Sequence, residues 1–82
     1  AVLDALGGAM ARHPDLWDCH DVEIGTAGRS TSLSFRCCTD AAATVNRAHQ
    51  RASLLEDDLR RSIPRLGRVT IHVEPDETGG RG

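Results

Sequence analysis

The sequence predicts an α+β domain, a two-layer sandwich in the order α-β-β-α-β with a three-stranded mixed sheet and two helices on one face. Three patterns carry that prediction. Residues 69–74 alternate strictly, Val69, Ile71 and Val73 against Thr70, His72 and Glu74, which is the period of a half-buried strand. Residues 17–38 hold two further alternating runs on either side of a glycine-containing turn. Between these strand regions, Val45, Ala48, Ala52, Leu55, Leu59 and Ile63 recur at three- and four-residue steps, an apolar stripe along one long helix. A crossover from the second strand through that helix to the third is right-handed and sets those two strands parallel. Both helices then cover the sheet's one apolar face, leaving the other open.

In chain order, the opening segment has apolar residues at Val2, Leu3, Ala9 and Met10 around Leu6, a helical spacing weakened by Gly7-Gly8. His13-Pro14 ends it, because proline drives its predecessor out of the helical region. Trp17 to Gly25 reads as the first strand, with Val22 and Ile24 alternating against Asp21 and Glu23, and His20 sharing the parity of Val22. Thr26-Ala27-Gly28-Arg29 supplies the turn. Thr31 to Cys38 is the second strand, Leu33, Phe35 and Cys37 inward, Ser34, Arg36 and Cys38 outward. Asp40 or Thr44 caps the long helix, which reaches about Ile63 and is broken by Pro64 to Gly67. The domain spans residues 1–75, and the polar, glycine-rich residues 76–82 read as a disordered tail.

Eighty-two residues make one small domain, of a size for which a partner subunit adds welcome stability. Trp17 and Phe35 are the only aromatic residues, so the core is aliphatic. The formal charge of −2, and the lack of aromatic residues interleaved with a basic run, argue against nucleic acid. No apolar run approaches the ~20 residues of a bilayer span, and no signal peptide opens the chain. The chain as given is expected to be soluble and cytoplasmic. Cys19, Cys37 and Cys38 form no C-x-x-C pair and read as reduced thiols.

His72 and Glu74, two apart on one strand face, are a ready half-site for a divalent cation that takes nitrogen and oxygen ligands. On its own, His-x-Glu is more often a solvated strand face. His20 and His49 are further candidates, with Asp18 and Asp21 as outer partners of His20 or as plain surface charges. His13 belongs to the helix end and its dipole. Cys19 faces away from His20, so the two form no nucleophile–base pair, and nothing points to an enzyme or to a small-molecule substrate.

His13-Pro14, Cys19-His20-Asp21-Val22, the glycine turn, Ala48-His49, Pro64 and Val69-Thr70-Ile71-His72-Val73-Glu74-Pro75 together resemble the cytoplasmic C-terminal domain of cation diffusion facilitator transporters. The resemblance covers about residues 13–75. It implies a ferredoxin-like or metallochaperone-like fold, homodimerisation, and a divalent metal ion, zinc above all, near the subunit interface. His20, His49, His72 and Glu74 match that family's ligand positions. Arg36 departs from the pattern: the second strand commonly carries a ligand histidine there, and a guanidinium cannot ligate metal. That departure argues against the fullest two-metal cluster, and Cys38, two residues along the same face, is a soft substitute or simply a packed thiol.

The membrane helices that most relatives carry are absent from these residues. The first reading is therefore a metal-responsive dimerisation domain, resembling a tail attached to a transporter membrane domain. The alternatives are a metal-independent structural dimer, with Arg36 paired to Glu74, and a free-standing metal carrier or buffer.

Overall fold

A computed structural model of the chain describes residues 1–77. It contains α1 (Val2–Arg12), β1 (Trp17–Ala27), β2 (Ser30–Asp40), α2 (Val45–Ser62) and β3 (Leu66–Asp76). The sheet order is β1-β2-β3, with β1 antiparallel to β2 and β2 parallel to β3. The hairpin and the parallel crossover are those the sequence predicts. The molecule's shortest dimension is 19 Å. A helix layer of about 10–12 Å on a sheet of about 10 Å fills that thickness, so the sheet's second face has no cover of its own.

Each element forms for a local reason. Gly28 takes φ 61° at the first of the two loop positions between β1 and β2, a conformation open to glycine and the sign pattern of a tight type II′ hairpin. The two candidate caps of α2 divide the work. Asp40 Oδ1 accepts from the Ala42 amide at 2.9 Å and turns the chain out of β2, while the Thr44 hydroxyl accepts from the Arg47 amide at 3.0 Å and caps the helix. Ile63 caps its end, and Pro64 keeps it from continuing.

Leu33, Phe35 and Cys37 are fully buried between the sheet and the helices, against Leu55, Leu59 and Ile63 of α2 and Leu6 and Ala9 of α1. The inward and outward sets of β2 are as the alternation predicts. A polar brace closes the far end of this core. The Thr39 hydroxyl, itself buried, donates to the Asp15 carbonyl at 2.9 Å and accepts from Arg51 Nη1 at 2.7 Å.

Three expectations are corrected. β1 does not alternate simply: its register with β2 slips between Trp17 and His20 and again between His20 and Glu23, with Asp18 at φ 58° and Asp21 at φ 53°. These bulges separate the inward-packing Cys19 and Val22 by three residues instead of two, so His20 sits opposite Arg36 on the open face and does not share Val22's side. The apolar stripe of α2 does not run its full length, because Val45 is 86% exposed. β3 continues through Asp76, which pairs with Asp40; the rest of the expected tail, residues 78–82, lies outside the described residues.

Candidate metal centre

The open face is built in cross-strand rows. His20, Arg36 and His72 form one row across β1, β2 and β3, and Trp17, Cys38 and Glu74 form the next. Neighbours in a row lie about 4.5–5.5 Å apart at Cβ, close enough for side chains to share a ligand or a charge.

The bulges aim His20. Its Nδ1 lies 2.7 Å from the carbonyl oxygen of Asp18. A carbonyl only accepts, so Nδ1 carries the proton, and in the neutral ring the Nε2 lone pair is left free. That nitrogen points at Glu74, 3.7 Å from Oε1. The backbone hydrogen bond to Asp18, then the negative charges of Asp18, Asp21 and Glu74, raise the His20 pKa above its ordinary value, outweighing a smaller desolvation effect. An imidazole locked in one tautomer, its free nitrogen beside a carboxylate, is the arrangement a divalent cation needs from two ligands.

Arg36 occupies the ground between them. Its Nε lies 3.5 Å from Asp21 Oδ2 and its Nη1 lies 3.5 Å from Glu74 Oε2. Both contacts are long, and the Arg36 and Glu74 side chains are each 44% exposed. Exposed pairs of this kind contribute about 0–1 kcal/mol. Arg36 therefore supplies Glu74 with a counter-charge that an incoming cation can displace.

His72, beside Arg36 in the row, is exposed and makes no hydrogen bond or ion pair with the described residues. Cys38 Sγ lies 3.9 Å from Asp18 Oδ2. Burial, then the carboxylates of Asp18, Asp76 and Glu74, push that thiol's pKa up, so it stays protonated at neutral pH without a metal. Cys37 is pushed up to about 12 by burial in the core and is inert there.

His49 is elsewhere. It is exposed on α2 and, with Val45, Ala48, Ala52, Ile71 and Val73, lines a groove of about 450 Å³ on the helical side of β3. Within one chain the fold thus brings His20 and Glu74 together, sets His72 two residues from Glu74 on the same face of β3, and keeps His49 on the other layer. Among the described residues no three histidine, cysteine or acidic side chains converge closely enough to hold a metal ion within one chain.

One polar constellation goes unread in the sequence. Asp58, on the helical stripe and almost buried, receives Arg12 Nε and Nη2 at 2.9 Å each, lies 2.9 Å from His13 Nε2, and accepts from Ser62 Oγ at 3.3 Å. The Arg12 hydrogen bonds above all hold this carboxyl well below the usual carboxylate range. His13, at the C-cap of α1 as expected, also faces Asp58 of α2. A charged residue three positions after Leu55, on the stripe itself, was the available signal.

The order α-β-β-α-β, with a mixed three-stranded sheet, two helices on one face and histidine and carboxylate side chains on the other, defines the class of fold. The family model for the cation efflux protein cytoplasmic domain matches residues 2–76, and the chain belongs to that family. Solved structures agree on the fold. The metal-bound C-terminal domain of the CzcD transporter from Thermotoga maritima is 23% identical with a TM-score of 0.88, over 96% of this chain and 92% of that one. The cytosolic domain of a cation diffusion facilitator family protein is 24% identical with a TM-score of 0.84, over 90% of this chain and 88% of its own. A cadmium form of the MamM C-terminal domain is 18% identical with a TM-score of 0.82, over 93% and 95%. No curated protein sequence matches the chain. No helix among the described residues is long and apolar enough to cross a membrane.

Proposed function

We propose that this domain is a metal-responsive homodimerisation module of a cation exporter, and that zinc is its divalent ion. The observation that carries the reading is His20, proton fixed on Nδ1 and Nε2 turned to Glu74, with His72 unpartnered on the same face. One chain offers too few converging ligands, so the coordination sphere is completed by a second subunit. His49, on the opposite layer, can join only when donated across that interface. His20 and His72 supply neutral nitrogens and Glu74 an anionic oxygen, a donor set suited to zinc and tolerated by cobalt, nickel and other divalent ions. In the parent transporter, drawing the two subunits together on metal binding alters the spacing of the membrane segments that precede α1.

Arg36 favours a second reading, a structural dimer in which its charge permanently replaces the cation at Glu74. The weakness of that exposed pair favours the first. Chelator-stripped protein examined by native mass spectrometry with and without zinc separates the two. A dimer that takes up a whole number of zinc ions per chain, and loses them in His72→Ala, is the expected result. A dimer that stays free of zinc under the same conditions selects the structural reading.

A further inference from the structure

We propose that the end of the molecule where the β1–β2 turn meets the α2–β3 link is a docking surface for an anionic lipid bilayer, with Arg29, Arg61, Arg65 and Arg68 set against the phosphates of its headgroups. The inference rests on the exporter reading above and adds to it the surface that this domain turns to the membrane.

Topology brings four arginines, far apart in the chain, to one end. Arg29 stands in the β1–β2 turn and Arg61 in the last turn of α2. Arg65 lies in the link to β3, and its carbonyl accepts from the Thr31 amide at 3.0 Å, just past the β1–β2 turn. Arg68 follows on β3 and lines a groove with Ser32, Ser34 and Thr70. All four are exposed, and none has a hydrogen-bond or ion-pair partner among the described residues. Arg60 beside them differs, being held by Glu56 at 2.8 Å and by the Leu66 carbonyl at 3.1 Å. The helix macrodipole accounts for a cation in the last turn of α2. It does not account for Arg29 or Arg68, which belong to the sheet.

Charge is sorted along the length of the molecule. The formal charge of the chain is −2. Yet the far end of the sheet, where Asp40 lies beside Asp76, Cys38 beside Glu74, and β1 opens with Asp18, is rich in carboxylates. Strands of 11 residues put about 33 Å between the two ends. The Debye length at 0.1 M salt is about 10 Å, so the acidic end is screened from whatever the basic end meets. Closer carboxylates count for more. Asp57 lies a helical turn, about 6 Å, and Glu23 four strand residues, about 13 Å, back from the tip. Asp4, in the first turn of α1, offsets one of the four arginines. Only residues 13–16 separate α1 from β1, so α1 runs antiparallel to β1 and its first turn, with Leu3 61% exposed, arrives at this same end. With the membrane domain of the exporter preceding α1, the basic end is the one that faces the bilayer. Guanidinium groups take phosphate oxygens in paired hydrogen bonds. Each basic side chain beside anionic lipid strengthens binding about fivefold, an effect that fades within a Debye length.

The test is co-sedimentation at low salt with two kinds of vesicle, phosphatidylcholine alone and a two-to-one mixture of phosphatidylcholine with phosphatidylglycerol. Wild type is expected to bind the mixed vesicles, to leave them as salt rises, and to ignore phosphatidylcholine alone. Arg29→Gln, Arg61→Gln, Arg65→Gln and Arg68→Gln are each expected to lower the partition about fivefold, and the four together by more than about a hundredfold. Arg47→Gln makes an equal change of net charge at the far end, in the first turn of α2, and is expected to leave the partition unchanged. A wild type that stays in solution or binds both vesicles alike overturns the docking surface, as does full binding by the fourfold variant or an equal loss in Arg47→Gln. Zinc uptake by the fourfold variant is expected to equal that of wild type, so the surface can fail while the exporter reading stands. A wild type that takes up no zinc and stays off the vesicles overturns both. Should the fourfold variant fail to fold, amide hydrogen exchange of wild type with the mixed vesicles decides instead. Protection gained at residues 27–30 and 61–67 supports the surface, and protection gained only elsewhere refutes it.

Discussion

His20 and Arg36 face each other across two strands and make opposite demands on Glu74. The elevated His20 pKa means that the folded chain favours the imidazolium. The sign for stability follows directly. This contribution is present in full below the ordinary histidine value of about 6.5 and is lost as pH rises through the raised folded value. For metal the sign reverses, because the proton on Nε2 competes with the cation. Zinc uptake is therefore expected to weaken on acidification from a pH above that of a free histidine, and His20→Ala to flatten that dependence. Isothermal titration at pH 6 and pH 8, beside NMR of the His20 ring, measures both. Arg36→Ala removes a positive charge from Glu74 and from the approach of a dication. It is expected to tighten zinc about tenfold, the scale of one near-surface charge interaction, and an unchanged affinity in a zinc titration would show that Arg36 does not guard the site.

At the scale of elements, a nearly buried carboxylate ties α1 to α2. Asp58 ties Arg12 and His13 to α2, and its pKa is depressed. Its stabilisation is present in full above the ordinary carboxylate value and is lost as pH falls from there toward the depressed one. Thermal melts between pH 7 and pH 2 are expected to show a loss in that acid range that Asp58→Asn lacks, the variant being less stable at neutral pH. Gly7 has open space where a Cβ would stand, so Gly7→Ala is expected to add about 0.5–1 kcal/mol by denaturant unfolding, through helix propensity alone. The order of elements, the parallel crossover, the inward set of β2 and the cap at Thr44 were all legible, because each follows from periodicity or from one residue's local chemistry. The face of His20 was not. It depends on two bulges whose residues, Asp18 and Asp21, tolerate positive φ but do not announce it. The Asp58 cluster was hidden for a different reason: its partners lie 45 and 46 residues away, and no local period reports such a distance. His49 could be named as a candidate from the resemblance, yet its layer follows from the rotation of α2 over the sheet, which the sequence leaves undetermined.

At the scale of the whole molecule, a two-layer slab with one bare face has placed its polar chemistry where its own chain cannot finish it. A core made from a few aliphatic side chains and one phenylalanine gives modest stability. His72, on the bare face, has no side-chain partner among the described residues. In the proposed metal-responsive dimer both conditions are relieved by association, which links stability to concentration and to metal by mass action. The melting temperature of metal-free protein is expected to rise with protein concentration, since a dimer is favoured by its own partner. Added zinc is expected to raise it further, by the equivalent of about 2.7 kcal/mol at a hundredfold excess over Kd. The two increments separate by mutation. His72→Ala is expected to abolish the zinc increment and keep the concentration dependence. Calorimetric melts of the two proteins over a hundredfold range of concentration, with and without zinc, read both effects in one series. If zinc stabilises His72→Ala as much as wild type, the metal does not bind on the open face, and the arrangement of His20, Arg36 and Glu74 serves the fold alone.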